Sequence, residues 1–137
     1  MSTLRTNALE GVDAKNSITI VAGAGNITTT NVQEGSVKIW ASVKGTTATE
    51  LLDSFNVTSV SDDATGKSTL TFTNNMTDDN YSTTTSAQEN TFVHAHTSVA
   101  AGSIQLQSRG SDDQAFGDVD HYGAHICGDL ALSLIHI

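Results

Sequence analysis

Residues 37–72 read VKIWASVKGTTATELLDSFNVTSVSDDATGKSTLTF, and this stretch decides the predicted fold. Its first part alternates apolar and polar side chains, with Val37, Ile39, Ala41 and Val43 at every second position. A period of two residues is typical of a β-strand that buries one face. We therefore predict a strand here whose odd-numbered residues face a core.

The remainder of this stretch predicts two more strands. Phe55, Val57 and Ser59 continue the alternation and predict a strand through this segment. A polar turn at 62–66 separates it from the third strand, which contains Leu70 and Phe72 within TLTF at 69–72. Aspartates bond their own backbone, and the glycine that ends the turn tolerates a positive φ. The stretch thus predicts antiparallel strands joined by tight turns, with one apolar face.

Several shorter segments also favour extended structure, because they are rich in β-branched residues or alternate in polarity. Residues 48–53 fit either a strand or one helical turn, and the acidic stretch 110–122 predicts a long loop. The segments that predict further strands are 17–22, 27–30, 81–86, 92–97, 103–108 and 124–131.

The composition leaves little material for a core. Of the 137 residues, 37% are hydrophobic, below the usual ~45–50% for globular domains. Aromatic residues make up 5%, with Trp40 as the single tryptophan. Small domains are already marginal in stability. Burial between identical chains is one physical remedy, so the composition favours a homo-oligomer.

The charge and the apolar pattern exclude several classes of partner. A formal net charge of −9 without a basic patch predicts no binding to nucleic acid and none to an anionic membrane surface. The N-terminal MSTLRTNALEG lacks the apolar centre of a signal peptide, and we expect no membrane insertion. Cys127 is the single cysteine, which predicts no internal disulfide and a small apolar role.

The order of several short motifs carries a family resemblance. They are QEG at 33–35, KxW at 38–40, DSFNVTSV at 53–60, TLTF at 69–72 and MTDDNY at 76–81. In this order and spacing they resemble a β-rich domain of tail-fibre proteins of tailed bacteriophages, marine ones especially. The family often has an aromatic residue near Val43 and a proline at position 77, where Thr77 stands.

The resemblance implies an all-β fold, an antiparallel β-sandwich-like domain with a short fibrous N-terminal β extension. It divides the chain into a fibrous or oligomerisation segment, 1–35, and an antiparallel β domain, 36–131. It further implies a structural virion protein of the phage tail, assembled in the host cytoplasm as a homotrimer with other phage tail proteins. Two alternatives stay open: another virion appendage or decoration protein, and a truncated glycan depolymerase.

Recognition of a bacterial surface receptor, glycan or protein, is what the resemblance implies for function. The polar loops at 85–91 and 110–122 are the segments expected to make the contact, since binding residues concentrate on loops held by a rigid sheet. Residues 132–137, LSLIHI, resemble the in-frame translation of a sequencing-library adaptor. We predict that this tail is non-native.

Three kinds of motif raise the question of a chemical site. Gly66-Lys67-Ser68 lacks the glycine that a phosphate-binding loop needs five positions earlier, where Ser61 stands. His94 and His96 share one face of a predicted strand. Similar His-x-His pairs in some trimeric phage fibres hold iron on a three-fold axis, and an ordinary exposed strand is the alternative.

The paired carboxylates do not predict acid or base catalysis. They lie at 62–63, 78–79 and 112–113, next to small polar residues. No apolar surroundings are evident that would raise the pKa of such a carboxyl group, so these pairs predict turns. We therefore expect no catalytic residue, no cofactor, no resident metal and no enzymatic activity.

Overall fold

The computed structural model describes residue 6 and residues 19–22, 28–31, 35–46, 48–88 and 91–131, without the side chains of 19–22, 28–31 and 95–97. The chain divides into two units, residues 1–36 and 37–137. In the first unit, β1 (Thr19–Ala22) pairs antiparallel with β2 (Thr28–Asn31). Both strands match predicted ones, while the connecting turn and residues 132–137 lie outside the described residues.

The described residues of the second unit form two four-stranded antiparallel sheets that pack against each other. The first sheet has the strand order β4-β3-β10-β7 and the second has the order β5-β6-β9-β8. These strands are β3 (Val37–Lys44), β4 (Glu50–Phe55), β5 (Val57–Ala64), β6 (Lys67–Phe72), β7 (Ser82–Ala87), β8 (Thr91–Ala100), β9 (Ser103–Gly110) and β10 (Tyr122–Cys127). The predicted all-β, sandwich-like fold is therefore confirmed.

The core lies between the two sheets and follows the alternation of the strands. Ile39 and Val43 of β3 are fully buried, as the period of two residues predicts. Val37 departs from that prediction and is 42% exposed, because the pairing of β3 with β10 shifts by a bulge at its end of the strand. The buried apolar residues are Ile39, Ala41, Val43, Leu70, Phe72, Met76, Ile104, Leu106, Val119, Tyr122, Ala124 and Ile126.

The chain crosses from the first sheet to the second at Asn56, and this corrects one prediction. Asn56 has a φ of 60°, so the strand expected through Phe55, Val57 and Ser59 is broken into β4 and β5. Phe55 is 55% exposed. A bulge between Val57 and Ser59 then changes which alternate residues of β5 face the core. Val60, and not Ser59, therefore packs against it.

The hairpin between β5 and β6 has a turn where it was predicted, but the turn is shorter: β5 continues to Ala64, so only Thr65 and Gly66 lie between the strands. Gly66 has a φ of 65°, in the left-handed region that favours glycine. A Cβ at this position would also lie 2.7 Å from the carbonyl oxygen of Ser108. Asp118 Oδ1 accepts a hydrogen bond from the Gly66 amide at 2.7 Å, which ties the long loop to the turn.

The other predicted elements are mostly found where the pattern placed them. Residues 48–53 belong largely to a strand, β4, and β7, β8 and β9 cover the three segments predicted between 81 and 108. Residues 111–121 connect β9 to β10, as the acidic composition indicated. The last strand is shorter than predicted: β10 ends at Cys127, and Leu130 makes an isolated bridge with Met76.

Candidate functional site

A groove of about 550 Å³ lies on the outer face of the first sheet. Because side chains alternate along a strand, the residues between the core positions of β3 and β10 point to this face. The groove is lined by Trp40, Ala41, Ser42, Ser86, Ala87, Gln88, His121, Tyr122, Gly123 and His125. We call it the Trp40 groove.

Trp40 and His125, which line the Trp40 groove, belong to a row of residues in direct register across four strands. Trp40 lies opposite Phe55 of β4 on one side and His125 of β10 on the other. His125 lies opposite Thr84 of β7. Phe55 and His125 are exposed and Trp40 is half-buried. Antiparallel pairing thus places two aromatic residues and a histidine at neighbouring positions of three strands.

The floor of the groove is formed by Gly123, which stands between Ser42 and Ser86 in the adjacent row. A Cβ at Gly123 would lie 3.3 Å from the Ala41 carbonyl oxygen and 3.3 Å from the Ser86 Oγ atom. The missing side chain therefore leaves a depression that two serine hydroxyls flank. A ligand placed there meets hydrogen-bonding groups beside the Trp40 ring.

The segments predicted as recognition loops, 85–91 and 110–122, meet at one end of this groove, but residues 85–87, 91, 110 and 122 belong to strands and not to loops. The backbone amide of Gln88 donates a hydrogen bond to the backbone carbonyl oxygen of His121 at 2.9 Å. The His121 ring Nε2 lies 2.7 Å from Ser42 Oγ on β3. Thr46 anchors the same loop by donating to Asp120 Oδ1 at 2.7 Å. His121 is thereby held at the rim with its ring against the sheet.

Tyr122 lies behind the groove and remains a neutral hydroxyl. Burial raises the pKa of Tyr122, the hydrogen bond with Ser68 lowers it, and the carboxylates of Asp62, Asp118 and Asp63 raise it. The net shift is upward, because the charged phenolate is disfavoured in this apolar and acidic setting. Tyr122 is therefore suited to donating a hydrogen bond and not to accepting a proton.

The carboxylates of the chain act as acceptors for neighbouring groups. Burial alone would raise the pKa of Asp63, but hydrogen bonds from Thr69, Gln105 and Ser61 outweigh it and lower the pKa. The donor atoms of these three side chains lie 2.6, 2.9 and 3.0 Å from the carboxylate oxygens of Asp63. Asp63 and its neighbour belong to the end of β5 rather than to the turn proper. The described residues that line the Trp40 groove include no carboxylate.

The other acidic pairs do shape turns, as predicted. Asp78 Oδ1 accepts a hydrogen bond from the amide of Asn80 at 2.8 Å. Asp113 Oδ1 accepts one from the amide of Ala115 at 2.9 Å. Both contacts span two residues, which is the pattern of aspartates that bond their own backbone in turns.

His94 and His96 do not lie at the Trp40 groove. Both belong to β8, the edge strand of the second sheet, and His94 is exposed. The side chain of His96 lies outside the described residues, so the paired metal site stays untested. Within the part of the chain that is described, no three His, Cys, Asp or Glu residues gather as ligands for a metal ion.

The Gly66-Lys67-Ser68 motif and Cys127 both belong to the β-structure. Lys67 and Ser68 open β6, directly after the hairpin turn, and the Ser68 hydroxyl bonds Tyr122 in the core. This is not the strand-to-helix context of a phosphate-binding loop. Cys127 is half-buried, carries a free thiol and ends β10.

Sequence reasoning missed the two histidines that line the Trp40 groove. His121 and His125 are four residues apart, a spacing that brings side chains together on a helix and carries no such meaning in a loop or strand. The available signal was the alternation in β10, which places His125 on the face opposite Ala124 and Ile126. His121 lies next to Ser42 through a contact that spans 79 residues, so no local pattern marks it.

Comparison of the chain with protein-family models, with curated proteins and with solved structures finds no significant match in any of the three. Among the described residues, no helix is long and apolar enough to span a membrane.

Proposed function

We propose that this chain is a non-catalytic recognition domain of a phage tail fibre, which binds a neutral saccharide of a bacterial surface in the Trp40 groove. The tail-fibre part rests on the sequence resemblance. The binding part rests on one observation: a half-buried tryptophan borders a groove of about 550 Å³ whose other walls carry hydroxyl, amide and imidazole groups.

The chemistry of the groove suits a sugar. Binding sites combine aromatic surface with a few placed polar groups that fix orientation. Trp40 supplies an indole face against which the C–H groups of a pyranose ring pack. Ser42, Ser86 and Gln88 supply groups that donate and accept hydrogen bonds with ring hydroxyls. The volume lies within the range of about 300–1,000 Å³ that small-molecule sites occupy.

Trp40 also provides the assay. Because it is the single tryptophan of the chain, intrinsic tryptophan fluorescence reports on this groove alone. Neutral oligosaccharides prepared from bacterial surface polysaccharides are titrated into the protein. We expect saturable quenching or a wavelength shift with at least one member of the panel. Absence of saturable binding across the panel contradicts the proposal.

Variants locate the binding site. Gly123→Val fills the floor of the groove, and we expect it to weaken binding by about tenfold or more. Trp40→Ala, followed by calorimetry, should do the same. Val37→Ala is the matched control, because Val37 is an exposed apolar residue of β3 that does not line the groove. Equal weakening by the control, or none by Gly123→Val in a folded protein, rules out the Trp40 groove.

The virion assignment has its own test. Phage particles produced from a genome that encodes this chain should contain it, and mass spectrometry of purified particles detects it. Immunogold labelling then shows whether it lies on the tail. A chain that is absent from the particles contradicts the assignment, whatever the groove binds.

A further inference from the structure

The outer face of the second sheet carries a second set of functional groups, on the side of the sandwich away from the Trp40 groove. Lys67, Gln107 and His94 stand in direct register across β6, β9 and β8. Arg109 follows Gln107 two residues along β9 and so lies on the same face. Arg109 is paired with Phe92 on one side and bridged to Phe116 on the other. We call these six residues the basic face.

Two cations of the basic face converge on one aromatic ring. The Lys67 Nζ atom lies 4.5 Å from the centroid of the Phe116 ring, and the Arg109 Cζ atom lies 4.0 Å from it. Both distances are within the range of cation–π contacts. The whole chain has six lysines and arginines against fifteen acidic residues, so this concentration of positive charge is unusual for its composition.

The charge of these cations is not neutralised within the described part of the chain. Arg109 donates one hydrogen bond, to the backbone oxygen of Gln114 at 3.2 Å, and neither cation pairs there with a carboxylate. The Asp63 carboxylate already receives hydrogen bonds from Thr69 and Gln105, and Asp118 already accepts one from the Gly66 amide. Two like charges near one ring repel each other, and a bound anion would relieve that repulsion.

One buried polar side chain of the basic face also lacks hydrogen-bond partners. Gln107 is 1% exposed, and its side-chain nitrogen and oxygen have no hydrogen-bond partner among the described residues. A buried amide without partners is costly, and such groups in native proteins call for an explanation. In the register of the sheet, this unsatisfied amide lies between Lys67 and His94 and two residues from Arg109 along β9.

We propose that the basic face binds an acidic saccharide, with the carboxylate of a sugar acid held by Lys67 and Arg109. A carboxylate matches the fork of donors that a guanidinium presents, and Arg109 keeps donors free beside its bond to Gln114. Phe92 is 61% exposed next to Arg109 and offers an apolar surface for the sugar ring. The site is separate from the Trp40 groove and does not depend on it.

The test uses the full chain and a defined probe, an oligogalacturonate, with a neutral maltooligosaccharide of equal length as comparison. Isothermal titration calorimetry at low salt should show binding of the acidic probe, weakened by added salt. Arg109→Gln and Lys67→Gln should each reduce the affinity by about tenfold or more, because each removes a charged hydrogen-bond donor. Circular dichroism establishes that each variant is folded.

Matched controls make the outcome decisive. Lys44→Gln removes the same charge from β3, in the first sheet, and should leave binding unchanged. Trp40→Ala should also leave it unchanged, which separates this site from the one proposed above. Absence of binding, equal binding of the neutral probe, or equal loss in Lys44→Gln overturns the proposal. Equal binding of a short polyglutamate peptide overturns the assignment to a saccharide.

Discussion

The hydroxyl groups of Ser68 and Tyr122 hydrogen-bond to each other inside the sandwich, and this bond joins β6 of one sheet to β10 of the other. Both residues are buried. A polar pair in an apolar core is satisfied only while both partners are present, so it specifies how the two sheets face each other.

Tyr122→Phe should therefore destabilise the domain. It removes one hydroxyl and leaves the Ser68 hydroxyl buried without this partner, which costs about 1–3 kcal/mol. The free energy of unfolding is measured by urea denaturation. The double variant Tyr122→Phe with Ser68→Ala should recover part of the loss, because the unsatisfied group is gone. No loss in the single variant would show that the bond contributes nothing.

Asn56 should be the most sensitive position of the crossing between the sheets. Its φ of 60° is costly for residues with a Cβ, and asparagine tolerates it best after glycine. Its Oδ1 accepts hydrogen bonds from the backbone amide of Asn74 at 2.8 Å and from the Asn74 side chain at 2.9 Å. Its Nδ2 donates to the Asn74 carbonyl at 3.2 Å.

Two substitutions separate these contributions. Asn56→Gly keeps the backbone relaxed and loses the side-chain bonds, whereas Asn56→Ala loses the bonds and adds strain. We expect Asn56→Ala to be less stable than Asn56→Gly by about 1 kcal/mol in urea denaturation. Equal stability of the two variants would mean that the chain crosses here in another backbone conformation.

Alkaline pH should weaken the fold through Tyr81. Burial raises the pKa of Tyr81 to about 12, and the carboxylate of Asp79 contributes in the same direction. In the unfolded chain a tyrosine titrates near ~10. Between these values the unfolded chain loses a proton that the folded chain keeps, so the free energy of unfolding falls as pH rises.

The contribution of Tyr81 is fully present below about pH 10 and is lost as pH approaches the folded pKa. Urea denaturation on both sides of that value measures the slope. Tyr81→Phe should flatten the slope, while Tyr122, whose pKa is also raised, preserves part of it. An unchanged slope in Tyr81→Phe would show that this hydroxyl titrates normally.

Local pattern predicted the strands of this fold well, and it predicted the candidate site poorly. The alternation at Ile39, Ala41 and Val43 is a direct consequence of one buried face, so burial could be inferred from it. The break at Asn56 could not, because its neighbours continue to alternate while a single positive φ redirects the chain. The bulge in β5 then changed which alternate residues of the strand face the core, and no local pattern marked it.

The Trp40 groove depends on pairings that no local pattern specifies. Trp40 meets Phe55 and His125 through the registers of two different strand pairs. Basic residues of the second sheet show the same limitation, since Lys67 and Arg109 are remote in sequence and meet at Phe116. Composition could report how few cations the chain has, but not that two of them share a ring.

The apolar residues on β4 predict self-association. β4 is an edge strand of the first sheet, and Leu52 and Phe55 are 50% and 55% exposed on it. An exposed edge strand with large apolar side chains is a template for pairing with another chain. Together with the thin core that the composition indicates, this favours the homotrimer that the sequence resemblance implies.

We propose that the chain forms this trimer through β4, and Leu52→Glu should then shift it from trimer to monomer in size-exclusion chromatography with light scattering. The charge penalises burial of β4 against a partner and leaves the core of the protomer intact, because Leu52 lies outside it. Phe92→Glu is the matched control, since Phe92 is a large apolar residue, 61% exposed against 50% for Leu52, on β8, the edge of the second sheet. Loss of the trimer in the control alone would move the interface to β8. A wild-type chain that is monomeric and unfolds cooperatively would exclude the trimer.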